Sequence, residues 1–218
     1  MRREFALYDL EQSVGAISSM EPVTESQDAA FVRRLQANED AAYDELVRIY
    51  NASIYHVAFR MLGDPSEAAD AVQDIFLKVF RNIGSFRGDA ALKTWVFRIG
   101  LSEILNRLRW WKRRHRISTI SVDDDHNGQG VAYSLRDTAP SPEQALESRE
   151  QELAIQGALN RLSSDHRSIV VLRDIEGFSY IEIADILNIS VGTVKSRLAR
   201  ARTDMKKSLI RYLSVQRV

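Results

Sequence analysis

The sequence predicts an all-α protein made of two small helical domains joined by a flexible acidic linker. Apolar residues recur at three- and four-residue intervals in both halves of the chain, which is the spacing of one helix face. Residues that favour helix ends border these stretches. The 218 residues include only 10 glycines and 4 prolines, and 44% of them are hydrophobic. Long helices with enough apolar side chains for a core are therefore expected.

The N-terminal half begins with residues 1–26, which show no sustained period and are predicted to be a disordered extension. Helical spacing starts at Asp28 and continues to Met61. Gly63 then favours a helix C-terminus. The following Asp64-Pro65-Ser66-Glu67 favours a new start, with Asp64 as cap, Pro65 in the first turn and Glu67 at the capping-box position.

Two more helices are predicted in this half. The first buries a row that runs from Ala68 through Ile75 to Phe80. After a loop from Gly84 to Asp89, the second takes its apolar support from residues such as Trp95 and Ile99 and runs into a basic cluster near Arg116.

The segment from 118 to 142 differs in kind, because it contains Asp123-Asp124-Asp125, two glycines and two prolines. We interpret it as a flexible linker between domains at 27–117 and 143–214. Fully extended, it reaches roughly 80 Å at about 3.3 Å per residue. That length exceeds two turns of B-DNA at about 34 Å each.

A helix-turn-helix is predicted near the C-terminus. Ser179 and Glu182 form a capping box, and Ile183, Ala184 and Leu187 are expected to face inward. Asn188 suits the left-handed turn, and Ser190 caps a second helix. The inward row of that helix is Val194, Leu198 and Ala201. This combination of caps, turn and apolar rows predicts the motif.

The outer face of the second helix suits a DNA groove. Its centre is Gly192, Ser196, Ala199 and Arg200, flanked by Thr193, Lys195 and Arg197. Small residues permit close approach, and hydroxyl and guanidinium groups reach base edges and phosphates. A polar outer face on an ordinary helical hairpin is the other interpretation.

Charge is balanced overall but unevenly placed, with 30 basic and 30 acidic residues. Basic residues dominate from Lys93 to Arg116 and again from Lys195 to Arg211, and acidic residues gather between these blocks. Two separated basic blocks indicate two phosphate-facing surfaces. Each block by itself is equally compatible with a solvated helix face.

These motifs resemble those of the extracytoplasmic-function (ECF) subfamily of sigma-70 type RNA polymerase sigma factors. Tyr180 to Ala184 and Ser190 to Arg202 resemble region 4. Asp70 to Phe80 resembles region 2.2, and Phe86 to Ile99 resembles region 2.3, leading into a basic region 2.4. The resemblance covers about residues 28–211 and makes 27–117 region 2 and 143–214 region 4.

The resemblance implies a sigma factor that binds core RNA polymerase through its clamp and flap, recognises −10 and −35 promoter elements and promotes strand opening. It assigns −35 recognition to Ser190, Gly192, Thr193, Lys195, Ser196, Arg197 and Arg200. It assigns −10 contacts to Phe86, Arg87, Gly88, Lys93, Arg98, Asn106, Arg109, Lys112 and Arg113. It assigns polymerase binding to Asp70, Gln73, Asp74 and Leu77.

Some residues depart from the pattern or stay ambiguous. Ser102 stands where asparagine is usual, Asn106 where aspartate is usual and Gly100 where alanine is usual, which leaves open the −10 sequence that is recognised. Trp110 and Trp111 lie among basic residues and suit strand binding, with one of them expected to pack inward. The resemblance also implies an anti-sigma partner, often membrane-anchored.

No catalytic chemistry is predicted. The chain has no cysteine, its four histidines lie far apart, and neither a metal-ligand spacing nor a phosphate-binding loop is present. No cofactor, metal or enzymatic activity is expected. Without a signal peptide or an apolar span of about 18 residues, a cytoplasmic protein that does not insert into the membrane is expected.

Three other functions are weighed against the sigma factor. A helix-turn-helix response regulator predicts a strand-containing receiver domain in the N-terminal half. A helical adaptor for acidic proteins predicts insensitivity to nucleic acid. A hydrolase is the weakest of the three, because no catalytic group of residues can be assembled.

Overall fold

A computed structural model describes residues 25–118 and 142–215, with side chains from Asp28 to Arg114 and from Arg149 to Arg211. Everything described is helix or short connection, so the all-α prediction is confirmed. The N-terminal domain comprises α1 (Glu25–Gln36), α2 (Asp40–Leu62), α3 (Pro65–Asn82), a 3₁₀ turn (Ile83–Ser85) and α4 (Leu92–Ser118). The C-terminal domain comprises α5 (Pro142–Asn160), α6 (Ser164–Val170), a π-helical turn (Val171–Ile175), α7 (Tyr180–Leu187) and α8 (Val191–Val215). The predicted extension and most of the linker lie outside the described residues.

The helix ends in the N-terminal domain follow from a few residues. Gly63 adopts φ 78°, and its N–H donates to Phe59 O at 2.8 Å. Asp64 Oδ1 accepts the N–H of Glu67 at 2.8 Å, and Pro65 is the first residue of α3. Glu67 does not complete a capping box, because its carboxylate pairs with Arg107 at 3.2 Å instead. The sequence pattern missed the break between α1 and α2, where Asn38 has φ 58°.

Apolar side chains from all four N-terminal helices fill one core. Leu35, Leu46, Ile75 and Ile104 are each at most 1% exposed, and they come from α1, α2, α3 and α4 respectively. Each such side chain contributes on the order of 2 kcal/mol when it is fully buried. The amide of Gln36 donates to the carbonyls of Ile83 and Phe86 at 3.2 and 3.1 Å, which ties the loop before α4 to α1.

The core continues from one domain into the other. Phe178, just after the π-helical turn, is 1% exposed and packs edge-on against Phe97 of α4, with ring centroids 4.8 Å apart. Arg167 Nη1 of α6 donates to Met61 O of α2 at 2.6 Å. Arg60 of α2 pairs with Glu152 of α5 at 2.9 Å. The two domains therefore pack directly on one another.

Candidate nucleic-acid interface

The helix-turn-helix forms as the sequence predicts. Ser179 Oγ accepts the N–H of Glu182 at 3.2 Å, and the Glu182 carboxylate accepts the N–H of Ser179 at 2.8 Å, which completes the capping box. Asn188 ends α7 in the left-handed conformation with φ 53°. Ser190 Oγ then accepts the N–H of Thr193 at 3.1 Å and starts α8. Two side-chain caps and one left-handed residue thus fix the angle between the two helices.

The inward rows of both helices are confirmed, and that of α7 gains one residue. Val194, Leu198 and Ala201 of α8 are buried. In α7, Ile183 is fully buried, and Ala184 and Leu187 are half-buried and pack against the core. Ile186, which the pattern missed, is buried as well. The burial of this row fixes which side of α8 faces the core and which side faces solvent.

The predicted −35 residues fall into two groups on that face. Gly192, Lys195, Ser196 and Arg200 are exposed. DNA can approach the backbone closely at Gly192, because this residue has no side chain. The space beside it is open, since an added Cβ would meet nothing nearer than Ser190 Oγ at 3.8 Å. Ser196 is exposed, although its hydroxyl donates to Thr193 O at 3.1 Å. The other three residues, Ser190, Thr193 and Arg197, have side-chain partners. The two hydroxyls lie 2.8 Å apart within the cap, and the guanidinium pairs with Asp165 at 3.0 Å.

The predicted −10 residues lie along the loop before α4 and along α4. Phe86 is half-buried and packs edge-on against Trp95, which is also half-buried, at 5.3 Å. Arg87 and Gly88 are exposed, and Gly88 has φ 80°. The ring of Phe86 therefore supports the loop, while its neighbours face solvent.

Lys93 and Arg98 are engaged by the C-terminal domain. Lys93 Nζ lies 4.4 Å from the centroid of the Phe178 ring, and Arg98 Nη2 pairs with Asp185 Oδ1 at 2.6 Å. Further along α4, Asn106 and Arg109 are exposed and hydrogen-bond to one another, and Lys112 and Arg113 are exposed. The predicted −10 set is thus split into a free part and a covered part.

The tandem tryptophans differ in exposure. Trp110 is 46% exposed and lies under the guanidinium of Arg114, 4.9 Å from its ring centroid, whereas Trp111 is half-buried. Both line an open cleft of about 660 Å³ between α3 and α4. Acidic and basic groups share its walls, which are formed by Glu67, Asp70, Glu103, Asn106, Arg107, Arg109, Trp110, Trp111 and Arg113.

The predicted polymerase-binding face lies on α3. Asp70, Gln73 and Leu77 are exposed, and 48% of Leu77 is accessible to solvent. Asp74 is half-buried and forms an ion pair with Arg107 of α4. Burial lowers the pKa of Arg107, but Asp74, Glu67 and Glu103 outweigh that effect and raise it. Sequence reasoning missed Arg107, because nothing local to α4 marks it as the partner of an acidic row on α3.

Among the described residues, no helix is long and apolar enough to cross a bilayer. The same part of the chain contains no group of His, Cys, Asp or Glu residues arranged to hold a metal ion.

An all-helical chain with a capped helix-turn-helix and a second helical domain that carries basic and aromatic residues defines a class of DNA-binding transcription proteins. Two family profiles match it: "Sigma-70 region 2" over residues 46–115 and "Sigma-70, region 4" over residues 152–205. The chain belongs to the sigma-70 family and to its ECF subfamily, as its similarity to curated relatives also shows. It is a factor that directs RNA polymerase to promoters in transcription initiation.

Those relatives match over most of their length. The chain is 36% identical to the RNA polymerase sigma-H factor of Pseudomonas aeruginosa, over 86% of this chain and 96% of that one. It is 32% identical to the ECF RNA polymerase sigma factor SigW of Bacillus subtilis, over 82% and 94%. It is 34% identical to the ECF RNA polymerase sigma-E factor of Escherichia coli K12, over 80% and 90%.

Two solved structures share the fold. The sigma factor RpoE of Bartonella quintana, in complex with the anti-sigma factor NepR, matches with a TM-score of 0.59 at 26% identity, over 77% of this chain and 96% of that one. CnrH, in complex with the cytosolic domain of CnrY, matches with a TM-score of 0.60 at 23% identity, over 84% and 96%. The helical N-terminal domain and the family membership together exclude the receiver-domain regulator and the adaptor.

Proposed function

We propose that the exposed face of α8 recognises the −35 element, with Lys195, Ser196 and Arg200 making the outward contacts. The observation that carries this assignment is the burial of Val194, Leu198 and Ala201. Because that row faces the core, Lys195, Ser196 and Arg200 face solvent. Ser190, Thr193 and Arg197 have partners within the domain. Their contribution is to hold the helix in position while their remaining donors meet phosphates.

The −10 element is assigned to the N-terminal domain. Arg87 and Gly88 in the loop, and the row Asn106, Arg109, Lys112 and Arg113 on α4, offer donors and cations to an opened strand. Trp110 adds an exposed aromatic surface on which a base can stack. Phe86 supports the loop through Trp95. Lys93 and Arg98 complete the set once they are accessible.

Polymerase binding is assigned to the exposed part of α3. Asp70 and Gln73 offer an acidic and an amide group. Leu77 offers an apolar side chain of which 48% is exposed to solvent. Such a surface fits a partner with basic groups around an apolar pocket. Asp74 contributes less directly, because Arg107 already holds its carboxylate.

The remaining assignments follow from family membership. RpoE and CnrH are described in complexes with NepR and CnrY, the first of these an anti-sigma factor, and we assign an anti-sigma partner to this chain as well. Catalysis belongs to the polymerase, and the chain acts in the cytoplasm where the polymerase transcribes. Promoter choice and strand opening come from binding free energy alone.

The division of labour is tested with matched pairs of variants in reconstituted polymerase. Arg200→Ala is expected to weaken −35 protection in footprinting by roughly fivefold to 150-fold, since a bidentate base contact is worth about 1–3 kcal/mol. Lys206→Ala, an exposed residue further along α8, is the control. Equal effects of the two substitutions would contradict the assignment of the −35 face.

The polymerase face is tested in the same reconstitution. Leu77→Ala is expected to weaken binding to core polymerase several-fold and to leave the binding of the isolated chain to −35 duplex unchanged. Leu153→Ala removes an almost equally exposed leucine from the C-terminal domain and is the control. Full polymerase binding by Leu77→Ala would remove Leu77 from the interface.

A further inference from the structure

The open cleft between α3 and α4 joins side chains that otherwise belong to two separate surfaces. Asp70 comes from the polymerase-binding face of α3. Asn106, Arg109 and Arg113 come from the −10 row of α4. The volume of about 660 Å³ lies within the range of about 300–1,000 Å³ that is usual for small-molecule sites. We call this feature the α3–α4 cleft.

Ion pairs inside the domain determine which charges in the α3–α4 cleft remain available to a ligand. Three acidic side chains and three arginines line it, so its charge is balanced. Arg107 holds two of the acids, Glu67 and Glu103, at 3.2 and 3.6 Å. Within the part of the chain that the structure describes, Asp70 and Arg113 pair with no other side chain. The groups left for a ligand are therefore one carboxylate and two guanidinium groups, those of Asp70, Arg109 and Arg113.

Two indole rings form the apolar part of the α3–α4 cleft. Trp111 is half-buried, and Trp110 is 46% exposed. The guanidinium of Arg114 lies 4.9 Å from the centroid of the Trp110 ring and does not line the cleft, so it steadies this indole without filling the space. Flat aromatic ligands, above all nucleobases, stack on such rings. A ligand that joins a flat ring to an anionic group matches both the indoles and the arginines.

The hydrogen bond between Arg109 and Asn106 determines what the α3–α4 cleft offers to the edge of a base. Arg109 Nη2 donates to Asn106 Oδ1. Because a guanidinium cannot accept a hydrogen bond, the amide oxygen must face it, and the amide nitrogen of Asn106 is left as a donor. On the α3 side, the ionised carboxylate of Asp70 can only accept. The cleft therefore offers an acceptor with two oxygens from one helix and a donor from the other.

Among the common bases, guanine matches this pair of groups best. It presents two adjacent N–H donors, at N1 and N2, which one carboxylate can accept together, and the O6 acceptor lies beside them. Adenine and cytosine offer a single amino group and uracil a single ring N–H. A carboxylate next to an amide donor thus favours guanine, and a nearby free arginine favours a phosphate on the same ligand.

We propose that the α3–α4 cleft binds a guanine nucleotide, with the base stacked on Trp110 and Trp111, its N–H edge on Asp70 and its phosphate on Arg113. This site goes beyond the proposed function, because a nucleotide in the cleft requires neither a promoter nor polymerase. A free nucleotide and a guanine nucleotide of an opened strand offer the same chemistry. The two sources are separated by competition between them.

The tryptophans of the full chain report directly on the site. The sequence contains three of them, and Trp95 lies about 22 Å along α4 from Trp110, at about 1.5 Å per residue, where it packs on Phe86. Each indole N–H gives one signal in a proton–nitrogen correlation spectrum, which replacement of each tryptophan by phenylalanine assigns. Titration with GMP is expected to shift the signals of Trp110 and Trp111 and to leave that of Trp95 in place. No shift, or an equal shift of all three signals, would overturn the proposal.

Two comparison ligands test the recognition of the base and of the phosphate. AMP lacks the paired N–H donors of guanine, and guanosine lacks the phosphate. Each is expected to bind roughly threefold to tenfold more weakly than GMP, because water in an open cleft weakens the contacts that are lost. AMP that binds as tightly as GMP would overturn the assignment of guanine.

Variants at the wall identify the groups that hold the nucleotide. Asp70→Asn is expected to weaken GMP binding and to reduce its preference over AMP, whereas Asp44→Asn, at an exposed carboxylate of α2 outside the cleft, is not. Arg113→Ala is expected to weaken the binding of GMP but not that of guanosine, with Arg161→Ala on the C-terminal domain as the control. These residues are exposed, so the variants are expected to fold, and the same spectra verify it. Equal effects of a variant and its control would contradict the site.

Competition with a short single strand separates the two sources. One strand carries a single guanine among thymines, and the other carries adenine in its place. Displacement of GMP by the guanine strand alone supports the site with an opened strand as the source, and displacement by neither supports it with a free nucleotide as the source. A strand that shifts the Trp110 signal while GMP does not bind overturns the site and leaves the proposed −10 role intact.

Discussion

Arg107 shows how one side chain can organise a surface that the sequence presents as unrelated charges. It lies on α4 and pairs with Glu67 and Asp74 of α3, with Glu103 one turn before it on its own helix. Its side chain is only 20% exposed. The acidic row on α3 is therefore held in place by a cation from the neighbouring helix.

Replacing Arg107 by alanine is expected to destabilise the protein by about 1–3 kcal/mol, because three carboxylates lose their shared partner in a partly buried place. Denaturant unfolding measures the loss. Arg113→Ala, an exposed arginine on the same helix, provides the comparison. Equal midpoints for the two variants would show that the acidic row is stable without Arg107.

Gly100 is a second residue with a measurable effect. It is buried within α4, where an added Cβ would lie 3.6 Å from two carbon atoms of Ile75, an ordinary contact. Gly100→Ala is expected to raise the free energy of unfolding by up to about 1 kcal/mol through helix propensity. In contrast, Gly177→Ala should lower it, since Gly177 has φ 75°. Thermal unfolding of both variants and of the unmodified chain measures these changes. A lower melting temperature for Gly100→Ala than for the unmodified chain would mean that the contact of the new Cβ with Ile75 is too tight.

At the scale of elements, Asn188 controls the turn of the helix-turn-helix. Its φ of 53° costs most side chains roughly 1–2 kcal/mol. Asn188→Ala is therefore expected to lower both stability and −35 affinity, whereas Asn188→Gly should preserve the turn. Unfolding and duplex-binding measurements on the two variants check this. A stable Asn188→Ala chain with full affinity would mean that the turn is held by its flanking helices.

Elements that are determined by residues close together in the sequence could be predicted from it. The capping box of Ser179, the turn at Asn188 and the buried row of Val194, Leu198 and Ala201 all depend on residues within a few positions of one another. The burial of Ile186 was missed, because the inward face of a two-turn helix is set by what packs on it. The roles of Arg107 and Phe178 were missed for a related reason. Their partners lie on other helices, and no spacing along the chain records them.

At the scale of the whole molecule, Glu176 links the domain packing to pH. It follows the π-helical turn, and burial raises its pKa to about 7, although Lys93 and a hydrogen bond from Ser53 act to lower it. Lys93 and Ser53 belong to α4 and α2 of the N-terminal domain. The ordinary value of 4.5 returns when the chain unfolds. The stabilisation by Glu176 is thus fully present below about pH 4.5 and is lost as pH rises through about 7.

The unfolding free energy is expected to fall by about 1 kcal/mol between pH 6 and pH 8 on account of Glu176. Glu176→Gln, which cannot ionise, should remove that part of the pH dependence. Denaturant unfolding of both chains at the two pH values measures the difference. An equal fall in both chains would assign the pH dependence to other groups.

The π-helical turn has a consequence for the register of the chain. Glu176 N–H donates to Val171 O at 3.0 Å, five residues back instead of four, so Val171–Ile175 holds one residue more than an α-helical path of the same length requires. Each residue turns an α-helix by about 100°. Deleting one residue here would let α6 continue as a regular helix to the same end point. An insertion or deletion anywhere else in the helix would rotate Glu176 and Phe178 away from α4. The surplus residue is thus the one place where this helix can change length without losing its alignment with the first domain.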